Sequence, residues 1–294
     1  MPSTARFIDL HTHSTASDGK LSPGELVRAA GKLELAALAL TDHDTTGGLE
    51  EAAAEARKHG IRFIPGAELD IDRKSVPGFA ISGEFHLLAL GLRSPSESFK
   101  RELLKTNEAR RERNLRIIER MRDNGWDADY AEVCEIAGQG SVGRPHFAEY
   151  LVKLKAARTI RQAFDRYLGH GKSLYIPRVG IDYMIALSVI KESGALAVLA
   201  HPASLYVSWG KLPELAAHLV STGLDGIETR HPSATVHTAR KLEALAQSLG
   251  LYMSAGSDYH GENRRDRRLG RASGGEKIPL SVLEAIPLLN RGTF

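Results

Sequence analysis

The run Phe7-Ile8-Asp9-Leu10-His11-Thr12-His13 is a short apolar strand that ends in two histidines two residues apart. A strand repeats its side-chain direction every second residue, so His11 and His13 leave the same face. That spacing lets one cation take two imidazoles from one rigid element. Alone, the pair reads more simply as one packed and one solvated histidine. Recurrence changes the reading. Strand 35–40 runs into Thr41-Asp42-His43-Asp44, and strand 62–69 carries Glu68 near its end. Strand 196–200 runs into His201, strand 224–227 into Glu228, and strand 251–257 into Asp258-Tyr259-His260. Asp258 and His260 repeat the two-residue spacing of His11 and His13.

Between these strands the periodicity turns helical. Ser22-Pro23-Gly24-Glu25 opens a helix to about Lys32, with Ser22 as N-cap, Pro23 in the first turn and Glu25 three residues on. Further helices are predicted over 48–59, stopped by Gly60, and over 181–193, 212–221 and 233–249. Strands alternating with helices predict parallel strands and an α/β barrel, here of seven strands. Phe85-His86-Leu87-Leu88-Ala89-Leu90 departs from the pattern, because its histidine stands at the start. If the ligand-type residues share one mouth, that strand runs antiparallel to the others or is displaced from them. Residues 95 to about 178 break the rhythm with helical segments near 98–123, 126–136, from Pro145, and over 159–168. The chain thus divides into a barrel (1–95 and 179–294) and a helical insertion (96–178) placed where it could cap a site.

Hydrophobic residues make up 42% of the 294 and charged residues 26%, as in ordinary soluble enzymes. A net charge of +3 does not suggest a dedicated nucleic-acid binder, so duplex DNA is not an expected partner. The single cysteine, Cys134, excludes an intrachain disulfide, and its helical surroundings suggest a packed thiol. The sequence shows no basic-then-apolar leader and no apolar run near the roughly 20 residues that span a bilayer. A cytoplasmic protein without a membrane partner is the expectation.

Ligand-type residues gather at the C-terminal ends of the strands, the face that holds the active site in α/β barrels. Asp18, in the polar loop after His13, can fold back over the same mouth. A single zinc uses three or four protein ligands, so a set this large predicts a pair or trio of ions. Imidazoles and carboxylates without thiolate suit Mn²⁺, Zn²⁺ or Fe²⁺. Clustered ions bridged by a carboxylate and a hydroxide favour attack on phosphorus. No Gly-rich nucleotide loop and no G-x-S-x-G elbow competes, and Ser257 reads as a hydrogen-bonding loop residue.

At this point the motifs become specific. D-L-H-T-H-S-T-A-S-D-G (from Asp9), A-L-T-D-H-D, P-G-A-E, E-F-H-L-L-A-L, L-A-H-P and G-S-D-Y-H, in that order between residues 9 and 260, resemble the PHP (polymerase and histidinol phosphatase) family. The resemblance implies a distorted seven-stranded barrel and a trinuclear metal centre that hydrolyses phosphoesters, with Mn²⁺ the expected metal. Carried over by motif, one ion would take His11, His13, Glu68 and Asp258. A second would take Asp18, His43 and His260, and a third would share Glu68 and add His86 and His201. The segment Asp18-Gly19-Lys20-Leu21-Ser22-Pro23 and the helical insertion are most similar to a subgroup of 3′,5′-nucleoside bisphosphate phosphatases and short-RNA nucleases. The implied reaction is attack of a metal-bridging hydroxide on the 3′-phosphorus of a substrate such as adenosine 3′,5′-bisphosphate.

A second phosphate needs organic cations. Substrate contact is expected at Gly19, His43, Lys105, Arg110, Arg113, Asn114, Arg144 and Arg178. The arginines of 98–123 read first as a solvated face paired with Glu108, Glu112 and Glu119. Arg110, Arg113 and Asn114 nevertheless cluster on one side. Arg144 stands beside a proline-started helix N-terminus, where both features favour an anion. Arg264-Arg265-Asp266-Arg267-Arg268 follows the Asp258 and His260 pair and could overhang the site, but it reads first as solvated surface. His231, after a strand end, is a possible proton donor, and Glu228 reads as a structural or supporting residue. The competing functions are a 5′-to-3′ exoribonuclease on short RNA, a phosphatase of the histidinol type, and a non-catalytic nucleotide-binding module.

Overall fold

A computed structural model describes residues 6–138, 140–262, 264 and 266–290. Arg265 of the basic run lies outside them. The chain forms two compact units, Met1–Leu103 with Gly180–Phe294, and Leu104–Val179.

In chain order the elements are β1 (Phe7–Asp9), α1 (Pro23–Lys32), β2 (Leu35–Leu40), α2 (Leu49–His59), β3 (Arg62–Asp70), β4 (His86–Leu90) and α3 (Glu97–Asp123). They continue with α4 (Tyr130–Ala137), α5 (Arg144–Lys153), α6 (Ile160–Ala163), α7 (Tyr183–Glu192), β5 (Leu196–Leu199), α8 (Leu212–Ser221), β6 (Gly226–Arg230), α9 (Val236–Leu249) and β7 (Tyr252–Ala255).

In the first unit the strands form one seven-stranded sheet in sequence order, a nearly closed barrel. β1 to β3 are parallel, as are β5 to β7, while β4 pairs antiparallel with both β3 and β5. The first residue of β4, His86, therefore faces the last of β3, Asp70, and stands at the mouth where the parallel strands end. The irregular backbone beyond β1 and β7 draws the two edges together. Leu10 N donates to Ala255 O (3.2 Å), Asp258 N to His11 O (2.8 Å) and His13 N to Tyr259 O (3.0 Å).

Apolar residues alternate between two cores with the period of a strand. Leu88, Leu90, Val198 and Ala200 join Ile8, Ala37, Ala39 and Ile64 in one cluster, completed by Leu283, Ile286 and Leu289 near the C-terminus. Leu87, Ala89, Ala197 and Leu199 face the other way, onto Ala186, Ile190 and Leu215 of the flanking helices.

α1 begins as its residues dictate. Ser22 accepts from Glu25 N, and the Glu25 carboxylate accepts from Ser22 N at 2.8 Å. Ser22→Ala is expected to cost about 1 kcal/mol, read as a lower urea midpoint with unchanged specific activity. A midpoint equal to wild type would show the cap to be dispensable.

The helical unit has its own core, where Ile117, Ile118 and Met121 of α3 pack with Phe147, Tyr150 and Leu151 of α5. Two helices differ from the sequence expectation. α4 starts at Tyr130 rather than near Trp126, because Asp129 is extended and its carboxylate accepts from Ala131 N, which fixes the first turn there. The segment expected as a helix over 159–168 holds one α-helical turn, α6, and then widens to a π-helix at Phe164–Leu168. No described helix is long and apolar enough to cross a membrane.

Candidate metal centre

The mouth of the barrel collects imidazoles around one carboxylate. Glu68, near the end of β3, is 1% exposed. Its Oε2 lies 3.3 Å from His11 Nε2, 3.2 Å from His13 Nε2 and 3.2 Å from His43 Nδ1. Its Oε1 lies 2.8 Å from both His86 Nδ1 and His201 Nε2. Five rings on four strand termini thus converge on one side chain. Asp258 Oδ1 is 3.0 Å from His13 Nε2, so His11, His13, Glu68 and Asp258 form one compact donor set. A second set adjoins it, formed by His13, Asp18, His43 and His260, with His260 Nε2 3.3 Å from Asp18 Oδ1. His43, Glu68 and His86 form a third, with His201 Nε2 3.3 Å from His86 Nδ1.

These donors satisfy one another only in part: Glu68 Oε1 is hydrogen bonded to His86 and His201, but other donor atoms are not paired. His11 Nε2 faces His13 Nε2 at 3.2 Å, two like nitrogens competing for one region. Glu68 Oε2 and the Nδ1 atoms of His13, His43 and His201 are buried and hydrogen bonded to nothing. Buried polar atoms without partners are costly and call for an explanation. A bound cation would satisfy them, since these groups offer only imidazole and carboxylate donors at metal-ligand spacing.

The electrostatics agree. Burial opposes ionisation of Glu68, but the His43, His11 and His86 rings outweigh it and hold the carboxyl well below its usual range. Burial likewise disfavours charge on His11, yet Glu228 and Glu68 raise it to about 10. A cation held at His11 Nε2 would take the place of a proton there.

Other residues hold these donors in place. Glu228 Oε1 lies 3.0 Å from His11 Nδ1, and its Oε2 accepts from His201 N at 2.8 Å. One buried carboxylate thus turns the His11 Nε2 lone pair toward the centre and anchors a second histidine. Asp42 accepts from Ser14 N (2.7 Å), Ser14 Oγ (2.6 Å) and Ser17 Oγ (2.5 Å), which folds the 14–18 loop so that Asp18 returns over the mouth. Gly19 closes that loop, where a Cβ would meet His13 O at 2.6 Å. Asp9, fully buried, accepts from the backbone N–H groups of His11, Ser257 and Gly270. His201 and Asp258 have left-handed backbone, φ 27° and 51°, a strained state that tends to occur at functional sites.

The remaining expected residues fall in two places. His231 is 1% exposed, with Nε2 3.2 Å from Asp258 Oδ2, and burial above all keeps its ring neutral. The cations proposed for a second phosphate lie in the helical unit. There Arg110, Arg113 and Asn114 are buried while Lys105 and Arg111 are exposed, so the solvated-face reading fails for Arg110 and Arg113. Arg113 Nη2 donates to Asn114 Oδ1 at 2.7 Å. A cleft of about 350 Å³ is lined by Asn107, Arg110, Arg111, Asn114, Tyr130 and Ser141. Arg144, first residue of α5, lies over the Tyr175 ring at 5.8 Å, and Arg178 is partly buried.

Sequence reasoning did not assign the supporting roles of Asp9 and Asp42, and it preferred a solvated reading of the run holding Arg267 over one in which that run overhangs the site. Arg267 Nη1 instead forms an ion pair with Asp258 Oδ2, and its side chain is 14% exposed. The Asp-x-His spacing of Asp9 and His11 was a signal for the first. No local pattern announces the third.

Comparison with known proteins places this geometry among relatives. The family model described as the PHP domain matches residues 9–187. The chain is 33% identical over 258 residues to the 5′-3′ exoribonuclease Rnm of Salmonella typhimurium, covering 87% of this chain and 86% of that one. It is also 33% identical over 273 residues to a 3′,5′-nucleoside bisphosphate phosphatase of Chromobacterium violaceum, covering 88% and 90%. The structure of an amidohydrolase from Chromobacterium violaceum, with bound sulfate and no metal, superposes with a TM-score of 0.82 at 30% identity over 96% of each chain.

Proposed function

The chain belongs to the PHP domain family, and from that premise we propose that it is a metal-dependent phosphoesterase that removes the 3′-phosphate from nucleoside 3′,5′-bisphosphates. The observation that carries this reading is the placement of Glu68, one buried carboxylate shared by five imidazoles. A shared carboxylate is what a cluster of ions requires of its protein.

In this reading three divalent ions, Mn²⁺ first among the candidates, are held by three donor sets. His11, His13, Glu68 and Asp258 hold one, Asp18, His43 and His260 another, and Glu68, His86 and His201 the last. When bound, such ions supply Lewis-acid activation of water and offset charge on the phosphoryl and leaving oxygens. The chain's own part is orientation. Glu228 fixes the His11 tautomer, Asp42 fixes the loop bearing Asp18, and Glu68 sets the spacing of the two sides of the mouth. Hydrolysis joins a water oxygen to phosphorus, breaks the bond from phosphorus to the 3′-oxygen, and leaves that oxygen protonated as the nucleotide's hydroxyl. The products are the 5′-monophosphate and phosphate.

Arginines of the helical unit, with Arg144 foremost, are proposed to bind the phosphate that is not cleaved. The relative named as an exoribonuclease supports a second reading, in which the same centre trims short 5′-phosphorylated RNA.

One assay separates these readings. The Mn²⁺-loaded protein is offered adenosine 3′,5′-bisphosphate, 3′-AMP, 5′-AMP and a short 5′-phosphorylated RNA. Selective release of phosphate and AMP from the bisphosphate is the expected result, whereas mononucleotides from the RNA would move the assignment to a nuclease. Arg144→Ala is expected to raise KM for the bisphosphate about 10-fold or more, the worth of one charge-assisted hydrogen bond. The same change should leave KM for p-nitrophenyl phosphate unaltered. Equal effects on both substrates would refute the role given to Arg144.

A further inference from the structure

The basic run after the last donor pair reads first from sequence as surface, with an overhang of the site as the alternative. Arg264 and Arg268 are exposed. Arg267 is not, with its side chain 14% exposed and its Nη1 paired with Asp258 Oδ2. The same Nη1 lies 3.0 Å from His231 Nε2, while Nε stands 3.6 Å from Asp266 Oδ2.

The two oxygens of Asp258 thus have different surroundings. Oδ1 faces the donor cluster, at 3.0 Å from His13 Nε2, 3.3 Å from His260 Nδ1 and 3.6 Å from His11 Nε2. Oδ2 faces away, toward Arg267 and toward His231 Nε2 at 3.2 Å. His231 is itself held. Ser233 N donates to its Nδ1 at 3.0 Å, and Ser273 bonds its backbone on both sides, accepting from His231 N and donating to His231 O. Asp258 also occupies a left-handed backbone conformation, φ 51°, uncommon for a residue other than glycine.

We propose that Arg267 is a positioning residue for the metal centre: with His231 it occupies Asp258 Oδ2, so that Asp258 offers the centre one oxygen, Oδ1, in one orientation. The inference rests on the reading of the donor cluster as a metal centre. The guanidinium suits the task because it is planar, permanently charged and weakly hydrated, and so it can stay partly buried against a carboxylate. Without it, Oδ2 is free to swing inward and compete with Oδ1 for the same ion. Residues that orient a ligand in this way typically contribute about 10–100-fold to metal affinity or activity.

The test measures Mn²⁺ affinity of the full-length protein by competition with a fluorescent chelator, together with steady-state kinetics on adenosine 3′,5′-bisphosphate. Wild type, Arg267→Ala, Arg267→Lys and the exposed-site control Arg264→Ala are compared. Arg267→Ala is expected to weaken Mn²⁺ binding about 10–100-fold and to lower kcat, with little change in KM at saturating Mn²⁺. Arg267→Lys should recover part of the affinity, and Arg264→Ala should match wild type. Should Arg267→Ala fail to fold, Arg267→Gln, which keeps most of the side-chain length, takes its place. Unchanged Mn²⁺ affinity with a raised KM would overturn the proposal in favour of a direct phosphate contact. No change in either quantity would return Arg267 to the surface. A wild-type protein that binds no Mn²⁺ would remove the metal centre and this proposal with it, an outcome distinct from normal wild-type binding with an indifferent Arg267→Ala.

Discussion

Glu68→Gln is expected to abolish turnover, lowering kcat on the order of 10³-fold, about 4 kcal/mol of transition-state stabilisation, in a protein that remains folded. The side chain keeps its length and one carbonyl oxygen, so packing changes little. What changes is charge and polarity at the point where five imidazoles meet. An amide offers one acceptor atom and one NH₂ group. Whichever way it turns, NH₂ faces either His11, His13 and His43 or His86 and His201, where the carboxylate presented an oxygen. Two proposed donor sets share this residue, so both should lose affinity together. Metal content by mass spectrometry should fall along with kcat, while far-ultraviolet circular dichroism stays that of wild type. Full activity with full metal content would sink the assignment of Glu68 as the shared ligand.

Gly256→Ala should do comparable damage by a different route. The glycine lies in the Gly-Ser-Asp-Tyr-His motif, and its φ is not positive, so backbone freedom is not the reason for it. Space is. A Cβ there would stand 2.1 Å from His11 Cβ, 2.8 Å from His11 N and 2.9 Å from Glu228 Oε1. No rotamer relieves a clash between two Cβ atoms, because the backbone fixes both. The seam between the extensions of β1 and β7 would have to open, at the expense of Leu10 N to Ala255 O and Asp258 N to His11 O. Overpacking ordinarily costs about 1–3 kcal/mol, and more where backbone must move, so a loss at the top of that range or beyond is expected. The readouts are a lowered melting temperature and lost Mn²⁺ binding. Gly210→Ala, whose added Cβ meets nothing within 4 Å, is the control. A Gly256→Ala protein with wild-type melting and Mn²⁺ content would show that the seam can yield and that the close approach is not needed.

Both predictions concern residues that the sequence marks but does not explain. The period of two in His11-x-His13 and Asp258-x-His260, and the recurrence of ligand types at strand ends, were enough to locate the donor cluster. The odd place of His86 was enough to require that β4 run against its neighbours, as it does. The capping box at Ser22 and the glycine stop at Gly60 depend on residues three or four apart, and they formed as read. The start of α4 was missed because one extended residue, Asp129, overrides an apolar periodicity that continues through Trp126.

What the sequence determined by itself is therefore the part governed by short range: which segments are strands, which side chains share a face, and which imidazoles and carboxylates stand at strand ends. Only the tertiary structure decided which atoms meet. Glu228 supports His11 from 217 residues away, and Asp9 receives the N–H of Gly270 from 261 residues away. Arg267 turns toward Asp258 while Arg264 and Arg268 of the same basic run are exposed. The physical reason is that residue type and periodicity are local properties, whereas burial, ion pairing and the choice of one carboxylate oxygen over another depend on groups that the barrel's closure brings together.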